Sequence, residues 1–437
     1  MLLDDARKII AKYPLCDNCF GRQFGGLARG VTNKERGHAI KLVLAMEGHM
    51  ESRRGNAEGE AQLRALASNG GHLPAANVVG TEGERIDCYL CGGLLEKIQD
   101  FANGVVKSLE GYSYANFLIG ARVSGVMAER EDALRSEFAI EYGESLKMEA
   151  SREIGKEVAR LTGKGVEFAK PDVVVTLEIP GPGIEVKSMP LFIFGRYKKL
   201  VRGIPQSKWD CVHCRGKGCE VCHGTGKIYP ISVEEIVTGP VLKATRGVGE
   251  KFHGAGREDV DAIMRGNGRP FVVEIKEARN RSVDLRALEA SINEAGGGKV
   301  EVVDLRFSDK KTVRSLKEKA KVAEKCYSAL VELEGEVADE ALKNLEKSFN
   351  GCILNQYTPT RVMHRRADKL RLKKVHEISV RRVDGHRVEL VVRCQGGLYV
   401  KELISGDEGR TKPSIAEALG CGARCVELDV IAVNEGA

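Results

Sequence analysis

Apolar positions in the first half of the chain follow two spacings. A spacing of three to four residues, typical of helices, occurs over residues 2–12, 34–46, 57–67, 94–109 and 146–161. Short apolar runs, typical of strands, occur over residues 114–123, 173–179, 184–186 and 191–194. Because strands and helices alternate after residue 96, we predict a small α/β module over residues 96–206.

The second half of the chain has more strands and a clear hairpin. Strand-like runs lie at residues 270–275, 300–307, 327–332, 375–383, 388–394 and 425–433. Helical patterns lie between them at residues 283–293, 311–322, 339–349, 399–405 and 414–419. The Asp384-Gly385 turn predicts a hairpin. This order predicts an α+β domain with a mixed or antiparallel sheet over residues 245–437.

The length of 437 residues exceeds what one core usually organises, so two or three domains are expected. We place a helical, cysteine-containing region at residues 1–95, before the α/β module. A short cysteine-rich segment at residues 207–230 separates that module from the last domain. The predicted fold class is therefore multidomain α+β.

Composition points to an ordinary globular protein, with 42% hydrophobic and 30% charged residues. No apolar run approaches the ~20 residues that a membrane helix needs. The opening Met1-Leu2-Leu3-Asp4-Asp5 carries acidic residues where a signal peptide would be positive. We therefore expect a cytoplasmic protein without a membrane partner.

The net charge of +6 permits a nucleic-acid partner without requiring one. Basic side chains cluster in two stretches: Arg196, Lys198, Lys199 and Arg202, and then Arg361, His364, Arg365, Arg366, Lys369, Arg371, Lys373 and Lys374. Such clusters suit a phosphate backbone, because each neutralised phosphate releases condensed counterions. A solvated protein surface is the alternative interpretation.

Eight of the thirteen cysteines fall in four Cys-x-x-Cys pairs, and without a secretory signal disulfides are not expected. Cys16 with Cys19 and Cys88 with Cys91 are predicted to form one tetrahedral zinc site. The long insertion between the two pairs weakens that prediction. A redox role for either pair alone is the alternative.

The second cysteine group is the most specific motif in the chain. Two consecutive Cys-x-x-Cys-x-Gly-x-Gly knuckles supply the ligands of a single four-thiolate zinc site: Cys211, Cys214, Cys219 and Cys222. His213 and His223 flank the knuckles and are not expected to be ligands, because four thiolates complete a tetrahedron. The motif predicts a bound metal but does not indicate any activity. We expect it to be a structural link between two domains.

A candidate active-site loop follows at Gly256-Arg257-Glu258-Asp259, after His253 and before a Gly-x-Gly turn that leads into a strand. The glycines tolerate positive φ and so shape a backbone that presents polar side chains. A surface turn with solvated charges is the alternative.

Gly256-Arg257-Glu258-Asp259 resembles the Gly-Arg-x-Asp loop of pseudouridine synthases. The string from Gly256 to Phe271 is similar to one family, the archaeal-type tRNA pseudouridine-54/55 synthases. Stretches that match later in the chain are Lys325-Cys326-Tyr327, residues 355–366, Gly397-Leu398-Tyr399-Val400-Lys401-Glu402-Leu403 and residues 406–413. The family pattern often has threonine at the position of Leu398 and arginine at that of Lys401. The second difference keeps the charge and loses bidentate geometry.

The resemblance implies specific roles for these residues. It implies that Asp259 is the catalytic carboxylate, that Asp261 is not, and that Lys401 pairs with Asp259 above the side chain of Leu403. It implies that Tyr327 stacks on the target base. Implied substrate contacts are Arg257, Tyr327, Tyr399, Lys401 and Leu403.

The resemblance also implies the partner and the chemistry. The partner is tRNA, with the T-arm as the contacted part, and residues 96–206 are a THUMP-type tRNA-binding module. The target is uridine 54, and uridine 55 stays open as a second target. Isomerisation of uridine needs no cofactor, so any zinc, at one or two sites, is structural. We expect a monomer and no DNA partner. Whether the aspartate acts as nucleophile or as base at C2′ is left open.

Two other functions remain possible from the sequence. The first is a zinc-dependent tRNA-binding protein without catalysis. Side chains of Asp259, Tyr327 and Lys401 more than about 10 Å apart would favour it over an enzyme. The second is an RNA methyltransferase or thiolation enzyme, but the chain has neither a P-loop nor a dinucleotide-binding glycine motif.

Overall fold

The computed structural model describes residues 2–82 and 86–434. It divides into two compact units, Met1–Met189 and Pro190–Ala437, each with its own hydrophobic core. In the described residues no helix combines the length and the apolar character needed to cross a bilayer.

The first unit is mainly helical. Its helices are α1 (Leu2–Lys12), α2 (Asp17–Gly21), α3 (Asn33–Arg53), α4 (Ala57–Ser68), α5 (Leu73–Val79), α6 (Ile98–Ser108), α7 (Gly125–Glu137) and α8 (Leu146–Thr162). Local sequence sets the ends of the long ones. Thr32 and Glu35 form a capping box at the start of α3. Ser145 caps α8, and Gly163 ends it in the left-handed conformation.

A small sheet completes this unit. Its strands are β1 (Asn116–Val123), β2 (Gly165–Val166), β3 (Val173–Ile179) and β4 (Ile184–Ser188). Their order is β2-β1-β3-β4, with β1 parallel to both neighbours and β3 antiparallel to β4. Alternate β1 residues, Phe117, Ile119 and Ala121, are buried, and α8 packs against this strand. The strands predicted at residues 114–123, 173–179 and 184–186 are confirmed.

The second unit alternates helices with longer strands. Its helices are α9 (Val233–Thr245), α10 (Leu285–Gly296), α11 (Lys310–Val322), α12 (Asp339–Phe349), α13 (Val400–Ser405) and α14 (Ile415–Leu419). Its strands are β5 (Leu191–Lys199), β6 (Gly249–Gly254), β7 (Ile263–Lys276), β8 (Val300–Ser308), β9 (Glu324–Leu333), β10 (Ile353–Gln356), β11 (Arg371–Arg382), β12 (Arg387–Gln395), β13 (Thr411–Lys412) and β14 (Ala423–Asn434).

The described strands of this unit form one mixed sheet in the order β13-β10-β11-β12-β9-β14-β7-β5-β8, with β6 also paired to β7. The predicted hairpin is β11 and β12. Most neighbours are antiparallel, but β14 is parallel to β7 and antiparallel to β9, so it joins the two halves of the sheet. The α+β class with a mixed sheet is confirmed.

One strand lies in a different sheet from the one that the sequence suggested. We had grouped residues 191–194 with the preceding α/β module, but β5 pairs with β7 and β8 in the larger sheet. Ile193 and Phe194 are neighbours on opposite faces, and both are buried. A strand with two apolar faces must be packed against other elements on both faces. The periodicity of apolar residues alone does not indicate which sheet the strand joins.

The Gly-x-Gly turn before the predicted strand at residues 270–275 lies inside β7, which begins at Ile263. Gly266 and Gly268 have positive φ, and a Cβ at Gly266 would collide with the carbonyl of Ile431. Between them, the Asn267 side chain hydrogen-bonds the backbone N–H and carbonyl of Val433. Gly266 and Asn267 therefore dock β7 onto β14, Gly268 lies against Tyr197 of β5, and the turn is a kink within a strand.

Candidate active site

The candidate loop connects β6 to β7 and is built on a buried polar network. Glu258 turns inward, where its carboxylate accepts hydrogen bonds of 2.8 and 2.9 Å from the Tyr197 hydroxyl and pairs with Arg269 Nε at 2.8 Å. Burial raises the pKa of Tyr197. Arg269 also donates to the carbonyl of Ala255. All these side chains are almost fully buried, so they fix the inner side of the loop.

Two further side chains hold the loop backbone. The buried ammonium of Lys199 donates to three carbonyls, those of Ile204, Asp259 and Val260, at 2.8 to 3.2 Å. Gln206 Nε2 donates to the carbonyl of Gly256 at 2.9 Å. The backbone on both sides of Glu258 is therefore held by buried donors.

Asp259 points outward and is held by cations. Its two carboxylate oxygens lie 3.2 and 3.4 Å from the terminal nitrogens of Arg361. Arg361 Nε bonds Glu402 at 2.7 Å, which orients the guanidinium. These acidic partners raise the pKa of Arg361 against the opposing effect of burial. The carboxylate thus has a near-bidentate cationic partner.

Lys401 is also near this carboxylate, but it has a closer partner. Its Nζ lies 3.9 Å from Asp259 and 2.7 Å from Asp261. Although burial opposes it, the Lys401 contact lowers the pKa of Asp261. Sequence reasoning missed the contact between Arg361 and Asp259. The one signal for it was that Arg361 opens the second basic cluster.

These groups face a cleft of about 620 Å³. Of the residues implied by the sequence, five line it: Arg257, Asp259, Tyr327, Tyr399 and Lys401. Asp259 and Lys401 are thus in salt-bridge range, and Tyr327 lines the same cleft. Leu403 is instead fully buried in the core around β9 and β12. Apolar lining comes from Leu398, Val400, Leu428 and Val430.

The aromatic residues of the cleft have defined partners. Tyr327 is half-buried on β9, and burial raises its pKa. The Tyr399 hydroxyl accepts a hydrogen bond of 2.8 Å from Arg366. The guanidinium of Arg257 lies 4.9 Å from the centre of the Trp209 ring, so the segment just before the knuckle reaches the cleft wall.

Basic side chains of the second cluster surround the opening. Arg366, Arg371 and Lys373 line the cleft together with Lys317 of α11. The Arg365 side chain lies outside the part of the chain that the structure describes. The cleft therefore combines a carboxylate, aromatic rings and several cations, as a site for a nucleotide within a polyanion requires.

The first cysteine group forms a cluster within the first unit. The four sulfur atoms of Cys16, Cys19, Cys88 and Cys91 lie within 4.8 Å of one another, and those of Cys16 and Cys91 are 3.8 Å apart. The buried Arg22 donates to the sulfur of Cys19 at 3.6 Å. The long insertion between the two Cys-x-x-Cys pairs forms helices α3 to α5. The two pairs nevertheless meet in one cluster.

The knuckle forms the second cluster. Its sulfur atoms also lie within 4.8 Å of one another, with separations of 3.9, 3.8 and 3.6 Å for Cys211–Cys219, Cys214–Cys222 and Cys219–Cys222. Backbone N–H groups of Gly218 and Gly226 donate to the sulfurs of Cys214 and Cys222, each at 3.2 Å. A metal with bonds of ~2.3 Å to four tetrahedral thiolates implies sulfur separations of about 3.8 Å, so both clusters fit zinc.

Comparison with known proteins shows the family of this chain. Residues 192–434 match the family model described as Pus10, C-terminal, and residues 101–178 match the Pus10 THUMP domain, archaeal. The chain is 44% identical to tRNA pseudouridine synthase Pus10 of Methanothrix thermoacetophila, over 99% of this chain and 94% of that protein. It is 43% identical to the protein of the same name from Methanocaldococcus jannaschii, over 98% and 94% of the two chains.

Among solved structures, a chain of a Cbf5-Nop10-Gar1 complex aligns at 21% identity with a TM-score of 0.31. The alignment covers 55% of this chain and 48% of that one, and a score so low supports no conclusion. The matched domains are those of an RNA-modifying isomerase with an accessory THUMP module. The chain belongs to the Pus10 family of tRNA pseudouridine synthases.

Proposed function

We propose that this chain isomerises uridine in the T-loop of tRNA, at position 54, with Asp259 as the catalytic carboxylate. The observation that carries the proposal is the setting of Asp259. Asp259 lies on a loop whose buried side is held by Glu258 and Lys199, and it faces a cleft lined by two tyrosines. Modification of uridine 55 by the same site is the second target to be tested.

The reaction breaks the N1–C1′ bond of uridine, turns the uracil and joins C5 to C1′. It changes no oxidation state, so the site needs no redox cofactor. Asp259 acts as nucleophile or as base at C2′, and either role needs it ionised. Arg361 contacts both carboxylate oxygens, and Lys401 adds a second positive charge at 3.9 Å.

Tyr327 and Tyr399 give the flipped base its stacking surfaces. An aromatic platform contributes about 1–3 kcal/mol for each base that it stacks. Arg257 and Trp209 extend the cleft wall toward a neighbouring nucleotide. Leu428 and Val430 exclude water beside the loop.

The second basic cluster binds the phosphates of the T-arm. Arg366, Arg371 and Lys373 open onto solvent at the cleft and would release counterions from tRNA. Charge reversal at Arg371 is expected to weaken tRNA affinity, and unchanged affinity would count against this role. Action as a monomer is part of the proposal. No DNA partner is expected.

Both cysteine clusters hold structural zinc in this proposal. Their sulfur spacing matches a four-thiolate tetrahedron, which leaves no position for a water or a substrate. Thiolates persist as ligands in a reducing compartment, which supports a cytoplasmic location. The candidate domain limits remain residues 1–95, 96–206, 207–230 and 245–437, except that β5 groups with the larger sheet of the second unit.

The test is a pseudouridine assay on an unmodified tRNA transcript with position-resolved chemical mapping. Wild type is expected to modify the T-loop, and the mapped position distinguishes 54 from 55. Asp259→Asn is expected to lose product. Asp261→Asn is the matched control, because this carboxylate is two residues away and is bonded to Lys401, and it should keep most activity.

Two outcomes would contradict the proposal. Product from Asp259→Asn at the wild-type rate would show that another group does the chemistry. No product from wild type, with tRNA still bound, would favour the zinc-dependent tRNA-binding protein that the sequence also allowed.

A further inference from the structure

Lys325 on β9 is a buried cation in the floor of the cleft. The residue is 6% exposed and lines the cleft. Within residues 2–82 and 86–434, its ammonium has no hydrogen-bond or ion-pair partner. Two other buried lysines show what a structural role looks like, since Lys41 and Lys199 each donate three hydrogen bonds. Burying an ammonium without partners costs stability, so another function is expected to retain it.

The position of Lys325 relates it to the target base. Lys325 and Tyr327 are two residues apart on one strand, so their side chains leave the same face of the sheet about 7 Å apart. The ammonium also lies beside the catalytic loop, because a Cβ at Gly256 would be 3.1 Å from it. A ring stacked on Tyr327 would therefore present an edge to Lys325.

The nearby cations around the loop already have carboxylate partners: Arg269 with Glu258, Arg361 with Asp259, and Lys401 with Asp261. Lys373 donates to the carbonyl of Gly396. Lys325 is thus a positive charge in the described floor that has no carboxylate within ion-pair distance, the nearest acidic influence being that of Glu258. Burial and the adjacent Arg269 lower the pKa of Lys325 to about 8, so it still carries its proton at neutral pH.

The isomerisation creates the negative charge that this site lacks. When the N1–C1′ bond breaks, its electron pair leaves with N1, and the detached uracil is an anion whose charge spreads to its carbonyl oxygens. Meanwhile C1′ bonds the Asp259 carboxylate, or C2′ gives that carboxylate a proton. The anion then bonds C1′ through C5 as the bond to the carboxylate breaks or the proton returns to C2′. C5 finally loses its proton, and N1 gains one. Charge that develops in a closed pocket is stabilised best by a donor already in place.

We propose that Lys325 is a catalytic residue that donates a hydrogen bond to a carbonyl oxygen of the target uracil and stabilises the detached uracil anion. This inference rests on the proposed function. A backbone phosphate is the other ligand for such a charge. Phosphates reach the exposed basic rim, whereas Lys325 lies below it, and this depth favours the base.

The test compares Lys325→Met with wild type in three measurements on the full-length protein with its zinc. Single-turnover formation of pseudouridine with saturating enzyme reports the chemical step, filter binding reports the Kd for tRNA, and thermal unfolding reports stability. We expect the rate to fall about 100-fold or more, as for loss of an oxyanion donor. The Kd should stay within about threefold, and Tm should rise because an unpartnered buried charge is gone. Lys343→Met, which removes an exposed charge on α12, should leave all three unchanged.

Each other outcome would overturn the inference. A Kd that rises in step with the rate loss would assign Lys325 to a backbone phosphate. A lower Tm would assign it to the fold. An active Lys325→Met beside active wild type would remove Lys325 from the chemistry and leave the proposed function intact, whereas inactive wild type would defeat the proposed function itself.

Discussion

The two cysteine clusters have the same four ligands but opposite surroundings. Cys19, Cys88 and Cys91 are at most 2% exposed and belong to the hydrophobic core of the first unit. Around the knuckle, Val212 and Val221 are 73% and 65% exposed. The same metal chemistry can therefore organise a core in one place and a surface appendage in another.

The charge of the two clusters is offset in different ways. Four thiolates around a Zn²⁺ ion would leave a net charge of −2. At the knuckle, the backbone N–H groups of Gly218 and Gly226 donate to the sulfurs of Cys214 and Cys222. The core cluster has the buried Arg22, which also pairs with Glu131 and lies 3.6 Å from Glu149. The buried cluster thus needs a side-chain cation, whereas the exposed cluster needs only backbone dipoles.

The largest expected effect follows from breaking the core cluster with Cys88→Ser. The change removes a ligand that joins segments separated by three helices and leaves a hydroxyl in an apolar core. We expect a loss of about 5 kcal/mol or more, comparable to the whole stability of a domain, because zinc binding there is folding free energy. Zinc analysis should find one equivalent, and limited proteolysis should digest the first unit. A first unit that resists the protease would contradict the conclusion that the core cluster organises this unit.

Arg22→Met should have the next largest effect. It leaves Glu131 and the thiolate cluster without their buried cation, and breaking such a pair costs about 3–5 kcal/mol. Denaturant unfolding measures the loss, and Arg22→Lys, which keeps the charge, is the matched variant. Equal stability of Arg22→Met and wild type would mean that the core cluster needs no cation.

Cys222→Ser tests the exposed cluster and should act locally. The knuckle should lose its zinc while the free energy of unfolding of the remaining structure changes by about 0–1 kcal/mol. Trp209, the single tryptophan of the chain, lies at the edge of the knuckle and should change its fluorescence. A global loss as large as that of Cys88→Ser would erase the distinction between the two clusters.

The smallest effect is expected for His213→Ala. Four thiolates complete the knuckle tetrahedron, so the variant should keep two zinc equivalents and unfold within about 0.5 kcal/mol of wild type. Loss of zinc from this variant would instead make His213 a ligand and reopen the assignment of the four cysteines.

Sequence reasoning predicted what is local. Knuckle spacing predicted a four-sulfur cluster, and short apolar runs predicted β1 and β3. Contacts between distant segments were harder. Arg361 meets Asp259 across 102 residues, and no pattern shows that Glu258 points inward while its neighbour points out. Whether a strand such as β5 joins one sheet or another depends on tertiary packing, which periodicity does not contain.

The place of β14 in the sheet has a consequence for synthesis. This strand follows all other described strands along the chain, yet it lies between β9 and β7 in the middle of the sheet. A ribosome therefore releases two partial sheets, each with an open edge, before the strand that joins them emerges. Such edges invite pairing with other chains, and closure requires long-range contacts that form slowly. The nascent enzyme is thus exposed to aggregation until β14 has been made and has closed the sheet.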